Sequence, residues 1–378
     1  MTATISDFNL PKINTAEYEQ HVRATIEYGG SLFAVGRRGS GKSLILRNII
    51  EELGYQEVIW NLSTKDRTDV GGFPNLLSAK QNHKYVEYLY PDIFEPMLEG
   101  DRKIILNFEE LDKSDPSLYG PLYEIVQSRS INGKKLKNIK AIFATGNLIS
   151  EGGQKPSPPL LDRMEAYLVE ASAILFLNWA SKNNIHPSLC AYIADNQTDL
   201  FGEIDPGESY KDQSPRGYHR ASEIITHGEA RGWSNDFLTT KVAGCVGKQV
   251  GLKYAAYFKH YKVLLPIVDN IMAGKAYEEF DQLDKGMAIT CAMLVGNRFA
   301  RILDENQKTL FKLAQEKRFK EFPPQTSAVV KFFKSIDPEM QLIAVRSQIG
   351  QQRGIDAGLI YHPDFKEILD TLRKRING

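Results

Sequence analysis

Gly36-Arg37-Arg38-Gly39-Ser40-Gly41-Lys42-Ser43 decides how this chain is read. The run fits G-x-x-x-x-G-K-[ST], and its context gives the match weight. Ser31–Val35 before it is an apolar strand candidate, and Leu44–Leu53 after it predicts a helix with Leu44, Ile45, Ile49 and Leu53 on its apolar positions. Glycines let the backbone pass close to phosphate oxygens, and the N-terminus of the following helix adds partial positive charge there. The nucleotide-contacting set is therefore Gly36, Arg37, Arg38, Gly39, Ser40, Gly41, Lys42, Ser43 and Leu44. Within it, Lys42 neutralises β/γ-phosphate charge and the Ser43 hydroxyl ligates Mg²⁺. A chance glycine-rich turn is the alternative, and the strand–loop–helix order argues against it.

The chain has 378 residues and 42% hydrophobic content, enough for two domains with cores. Lys and Arg number 47 and Asp and Glu number 47, so net charge makes no general case for nucleic acid or membrane. Cys190, Cys245 and Cys291 are far apart and lack metal or redox spacing. The N-terminal residues show no signal pattern and no apolar run approaches ~20 residues, so a soluble, cytoplasmic protein without membrane association is expected.

A helix is expected over Thr15–Glu27, with Tyr18, Val22 and Ile26 along one face. Apolar strands are expected at Ser31–Val35, Val58–Asn61, Ile104–Phe108, Ala141–Thr145 and Ala166–Val169. Alternation with helices argues for a parallel sheet covered on both faces. Beyond Ala171 the strand signal fades, and Ala171–Asn184, Arg220–Ala230, Asp236–His260 and Lys285–Lys317 read as helices. Breaks are expected at Asp205–Gly207, Pro266 and Pro323-Pro324.

A phosphate loop needs an acidic strand end to hold Mg²⁺ and polarise water. Ile104–Glu110 supplies one: Glu109 is placed at the metal and Glu110 as the base that polarises water. Glu109 stands where Asp is usual and is one methylene longer, which suits an indirect metal contact. Ala141–Asn147 is an apolar strand ending in Thr-Gly-Asn, and Asn147 is read as positioning the attacking water, with an ordinary turn residue as the alternative.

Taken together, the loop, Phe108-Glu-Glu-Leu-Asp-Lys113, Arg129-Ser-Ile-Asn-Gly-Lys-Lys-Leu136, Phe143-Ala-Thr-Gly-Asn147, Leu160-Leu-Asp-Arg163 and Ser214-Pro-Arg-Gly-Tyr218 resemble, in that order, an AAA+ ATPase of the MoxR branch. That branch belongs to the helix-2-insert group related to dynein- and midasin-type modules, and the resemblance covers about residues 15–270. It implies an α/β fold: a P-loop AAA+ parallel-sheet domain over residues 1–170, an α-helical lid over 171–275, and a helical C-terminal extension over 276–378. It implies ATP with Mg²⁺, a homo-oligomeric ring that is usually a hexamer, and a client or partner protein, often one with a von Willebrand A domain. It also implies Arg163 as an arginine finger acting on the neighbouring subunit's site and Arg216 as a second sensor, while Arg129 is a weaker neighbour-facing candidate.

Two further segments carry alternatives. Asp69–Pro91, with Tyr85, Tyr88 and Tyr90, sits where the helix-2 insert falls; it packs as a hairpin or meets a partner. Arg129–Lys140 carries five basic and no acidic residues around an Asn-Gly turn. A nucleic-acid-stimulated motor is therefore a competing reading, as is a low-turnover nucleotide-gated scaffold suggested by Glu109.

Overall fold

The computed structural model describes residues 9–77, 86–202 and 213–338, with positions 340, 341, 363, 366 and 368. The chain forms two compact units. Among the described residues, the first holds residues 9–77, 86–172 and the short run Ser214–Arg216; the second holds Ala173–Gly202 and those from Gly217 onward.

In the first unit, six strands form one parallel sheet: β1 Lys12–Asn14, β2 Ser31–Val35, β3 Gln56–Asn61, β6 Ile104–Glu109, β9 Ile139–Gly146 and β10 Glu165–Glu170. Two small hairpins, β4 Phe73–Asn75 with β5 Glu87–Leu89 and β7 Ser130–Ile131 with β8 Lys134–Lys135, lie outside it. The sheet order is β1-β10-β2-β9-β6-β3. After β2 the chain crosses to the far edge at β3, works back inward, and finally passes β2 to form β10. The strand feeding the phosphate loop therefore lies at the reversal of strand order, where open parallel sheets place ligands.

Alternation builds the two cores. Phe33, Val35, Leu106, Phe108, Ile142 and Ala144 face one way, packed with Trp60, Phe94 and Leu122. Leu32, Ala34, Ile105, Ala141 and Phe143 face the other, under Tyr18, Val22, Ile26, Leu46, Ile49 and Ile50 from two helices. The first of these helices, Thr15–Tyr28, buries the Tyr18, Val22 and Ile26 face. The second, Lys42–Glu52, differs from expectation. Leu44 and Leu53 are exposed, and the buried stripe is Leu46, Ile49 and Ile50 at i, i+3 and i+4.

Asn14 closes the first helix with a reciprocal cap. Its side chain accepts from the N–H groups of Ala16 (2.9 Å) and Glu17 (3.0 Å), while the Glu17 carboxylate accepts from the Asn14 N–H at 2.7 Å. Asn14→Ala is expected to cost about 1 kcal/mol, read as a lowered melting temperature.

The second unit is helical, as expected, but its boundaries shift. The stretch Asp236–His260 is two helices, Asn235–Val246 and Lys248–Met272, because Gly247 adopts φ +88° and ends the first. Pro266 does not break the second. It costs one intrahelical hydrogen bond, but Leu264, Ile267, Val268 and Ile271 on either side are buried and hold the helix through it. Lys285–Lys317 is likewise divided, into Lys285–Glu305 and Gln307–Gln315. Pro323-Pro324 introduces the helix Gln325–Ser335, and Asp205–Gly207 lies outside the described residues. One apolar cluster runs from Ala173 and Phe176 through Tyr254 and Phe258 to Phe332 and Phe333, so residues on both sides of position 276 share a core.

Candidate nucleotide site

The loop is built by close approach. Gly36 donates its N–H to the Gly146 carbonyl at 3.3 Å, and a Cβ there would collide with the Val169 carbonyl oxygen. Gly36 is thus wedged between the ends of β9 and β10, the two neighbours of β2. Gly39 and Gly41 adopt φ of +72° and +95°, backbone that side chains disfavour. Gly41 caps the helix Lys42–Glu52 with no side-chain cap, leaving a helix N-terminus of the kind that binds anions.

Lys42 is buried at 7% exposure, with its ammonium donating to the carbonyls of Gly36 (2.8 Å) and Arg37 (3.0 Å) and to Ser40 Oγ (3.2 Å). Burial pulls it down to about 8; Glu151 and Asp112 oppose that shift, and Arg216 adds to it. Ser43 is half-buried in the first turn.

The acidic residues separate by direction. Glu109, at the end of β6, lies 4.0 Å from Arg47, which also meets Glu57 at 3.5 Å. Glu110 stands just past the strand in left-handed backbone, φ +55°, an uncommon conformation for a side chain with a Cβ. Lys113 donates to it at 3.0 Å; that bond, with Ser63 and the charge of Arg216, holds its carboxyl below the usual range and hence ionised. The amide of Asn147 reaches Asp112 Oδ2 at 3.4 Å. Asp112 is 2% exposed, burial pushes it up, and its Oδ1 is without a protein partner. Sequence reasoning missed Asp112, although it stands two residues past Glu110.

The arginines differ. Ser214–Arg216 clusters with the first unit, and a Cβ on Gly39 would lie 3.2 Å from the Arg216 Cβ, so the phosphate loop and Arg216 are neighbours. Arg163 is exposed and rests on the helix Tyr119–Ser128: its Nε donates to Gln127 at 2.9 Å, its guanidinium lies 5.6 Å from the Tyr123 ring, and it also donates to the Pro159 carbonyl. Arg129 is half-buried. Its guanidinium donates to the carbonyls of Val126 and Gly30 (3.1 Å) and to Ser31 Oγ (3.1 Å), tying a helix C-terminus to the start of β2.

Glu151 is the second residue that sequence reasoning missed. It ends a short turn, Ile149–Glu151, four positions after Asn147, and its side chain is 5% exposed. It accepts from the Arg38 backbone N–H at 2.6 Å and from Arg37 Nε at 3.3 Å. No motif marked it, since the Arg38 N–H it serves lies 113 positions earlier in the chain.

The two hairpins join each other. Asn132 (φ +48°) and Gly133 (φ +74°) make the expected turn, with the Glu124 carboxylate accepting from both their N–H groups at 2.9 Å. Asn132 Nδ2 donates to the Gly71 carbonyl at 2.6 Å, and the Tyr90 hydroxyl donates to the Ile131 carbonyl at 3.3 Å. Of the basic residues, Lys135 donates to the Ser128 carbonyl and Lys140 to the Glu27 carbonyl, at 2.8 and 2.6 Å. Tyr88 is exposed, and Tyr85 lies outside the described residues.

A phosphate loop at the strand-order reversal of a parallel sheet, flanked by carboxylates and an amide at neighbouring strand ends, defines a P-loop α/β fold, here followed by a helical region. Neither a family model nor a curated protein matches the chain. Among solved structures it is similar to point mutants of Thermotoga maritima RuvB. One of them is 13% identical, with a TM-score of 0.37, 61% of this chain and 69% of that one covered. A second is 15% identical, with a TM-score of 0.37, 70% and 80% covered. Among the described residues no helix is long and apolar enough to cross a membrane.

Proposed function

We propose that this chain is an ATP-hydrolysing AAA+ ATPase of MoxR type that works as a ring, hexameric by resemblance, and remodels or activates a partner protein. One observation carries the reading: the ionised Glu110 in left-handed backbone lies in the field of Arg216, the same arginine whose charge reaches the buried Lys42 of the loop. The cradle suits a nucleotide. Gly36 packs where no side chain would fit, Gly39 and Gly41 hold left-handed backbone, and the helix behind them starts without a side-chain cap. Lys42 meets the β/γ-phosphates, and Ser43 and Glu109 are assigned to Mg²⁺, which when bound offsets phosphate charge and orients the phosphates. The Arg47 contact of Glu109 suits a water-mediated role.

Glu110 is assigned as general base and Asn147 as the residue that orients the attacking water. The Asn147–Asp112 contact keeps that amide at the strand end. Arg216 meets the nucleotide from the start of its helix, and the helical region serves as lid and C-terminal extension. Arg163 is assigned to the neighbouring subunit's site; its perch on Tyr123 and Gln127 leaves it on the surface. The nucleic-acid reading is weaker, because two lysines of the basic segment, Lys135 and Lys140, are tied to carbonyl groups of the chain itself.

Mixing tests the ring. Arg163→Ala subunits alone are expected to lose about 10²-fold or more in turnover. Mixed with Glu110→Gln subunits, they should regain hydrolysis at sites where an intact Glu110 faces an intact Arg163. Wild-type turnover by Arg163→Ala alone would remove the finger assignment.

A further inference from the structure

The segment leaving β9 is pinned at two places. Asn147 contacts Asp112, Gln154 donates its N–H to the Asp112 carbonyl at 2.9 Å, and a Cβ on Gly153 would stand 2.9 Å from Asp112 Oδ2. Between these points Glu151 turns back to the phosphate loop and accepts from the Arg38 N–H and the Arg37 guanidinium, with Arg38 Nε at 3.9 Å. The segment from Asn147 to Gln154 is therefore a strap joining the loop to the strand end that carries Glu110.

We infer that Glu151 is a positioning residue for the nucleotide site, holding the Arg37–Arg38 limb of the loop against the strap that carries Asn147. A carboxylate with a 5% exposed side chain is stable as an anion only where donors surround it, and the loop supplies them. Arg37 also lends its backbone carbonyl to the buried Lys42 ammonium at 3.0 Å, so the limb that Glu151 grips is one that gathers the lysine. Removing Glu151 takes this acceptor from the Arg38 N–H and the Arg37 guanidinium and frees the limb that leads into Gly39–Ser43.

The inference rests on the nucleotide reading, and the experiment separates the two. A fluorescent ATP analogue is titrated at neutral pH into wild type, Glu151→Ala, Glu151→Gln and Lys42→Ala, with a melting curve on each preparation. Glu151→Ala is expected to bind about 10-fold more weakly. Glu151→Gln keeps an acceptor for the Arg38 N–H but loses the ion pair with Arg37, so it should bind between wild type and Glu151→Ala. That graded loss, in a Glu151→Gln chain that melts like wild type, is not produced by general damage to the fold, and it decides the matter if Glu151→Ala fails to fold. Unchanged affinity in both Glu151 variants, while Lys42→Ala binds far more weakly, would overturn the role of Glu151 and leave the nucleotide site standing. A wild-type chain that binds no nucleotide would overturn both.

Discussion

Glu110→Gln is expected to lower ATP turnover by about 10³-fold, within the range that general-base catalysis supplies, while nucleotide affinity changes little. Gln matches Glu in size and can keep the same backbone, but it cannot take a proton from water. Two features make Glu110 the strongest candidate for the base. The left-handed turn, φ +55°, redirects the chain right after β6, and Lys113 with Arg216 keeps the carboxyl ionised at neutral pH. Steady-state turnover and binding of a fluorescent ATP analogue, measured on the same preparation, separate the outcomes. Turnover at the wild-type rate would remove Glu110 from the chemistry. Absence of turnover in wild type despite tight binding would favour the nucleotide-gated scaffold.

Lys42→Ala is expected to weaken nucleotide binding by about 100-fold, equivalent to the loss of a strong charge-assisted contact. The substitution removes the charge proposed to meet phosphate. It also leaves the Gly36 and Arg37 carbonyls and Ser40 Oγ without the ammonium that gathers them. Lys42→Arg should fail as well, since a planar fork cannot gather three acceptors spaced for a tetrahedral ammonium. Titration gives the affinity, and a melting curve checks that the fold survives. Near-normal affinity in Lys42→Ala would mean the loop is not the phosphate site.

Much of the sheet was legible because its strands are short apolar runs ended by glycine or polar residues: Val35 before Gly36, Phe108 before Glu109, Thr145 before Gly146. β1 was not, since Lys12-Ile13-Asn14 offers one apolar residue and becomes a strand only by pairing with β10. On the helix Lys42–Glu52, Leu44, Ile45, Leu46, Ile49, Ile50 and Leu53 are all apolar, so composition allowed two stripes and packing chose one. Pro266 marked a break by its chemistry alone, yet the buried residues around it outweigh one lost hydrogen bond. Arg129 read as a weaker neighbour-facing candidate, since two of its acceptors, Gly30 and Ser31, lie 99 and 98 positions earlier and come near only through the fold. Glu151 was hidden in the same way, 113 positions from the N–H it accepts. Motif spacing names residues that meet the ligand; it is silent on those that hold the motif.

The helix Tyr119–Ser128 bears two loads described separately. Glu124 grips the turn at Asn132 and Gly133, which is itself fastened to Gly71 and Tyr90. Tyr123 and Gln127, one residue before and three after, carry Arg163. The Asn132–Gly133 turn, and through it the base of the β4–β5 pair, is thus bonded to the same helix that seats the Arg163 guanidinium, and the two attachments lie within one helical turn. A displacement of this helix too small to alter the fold would still shift the seat of a planar group whose hydrogen bonds are directional.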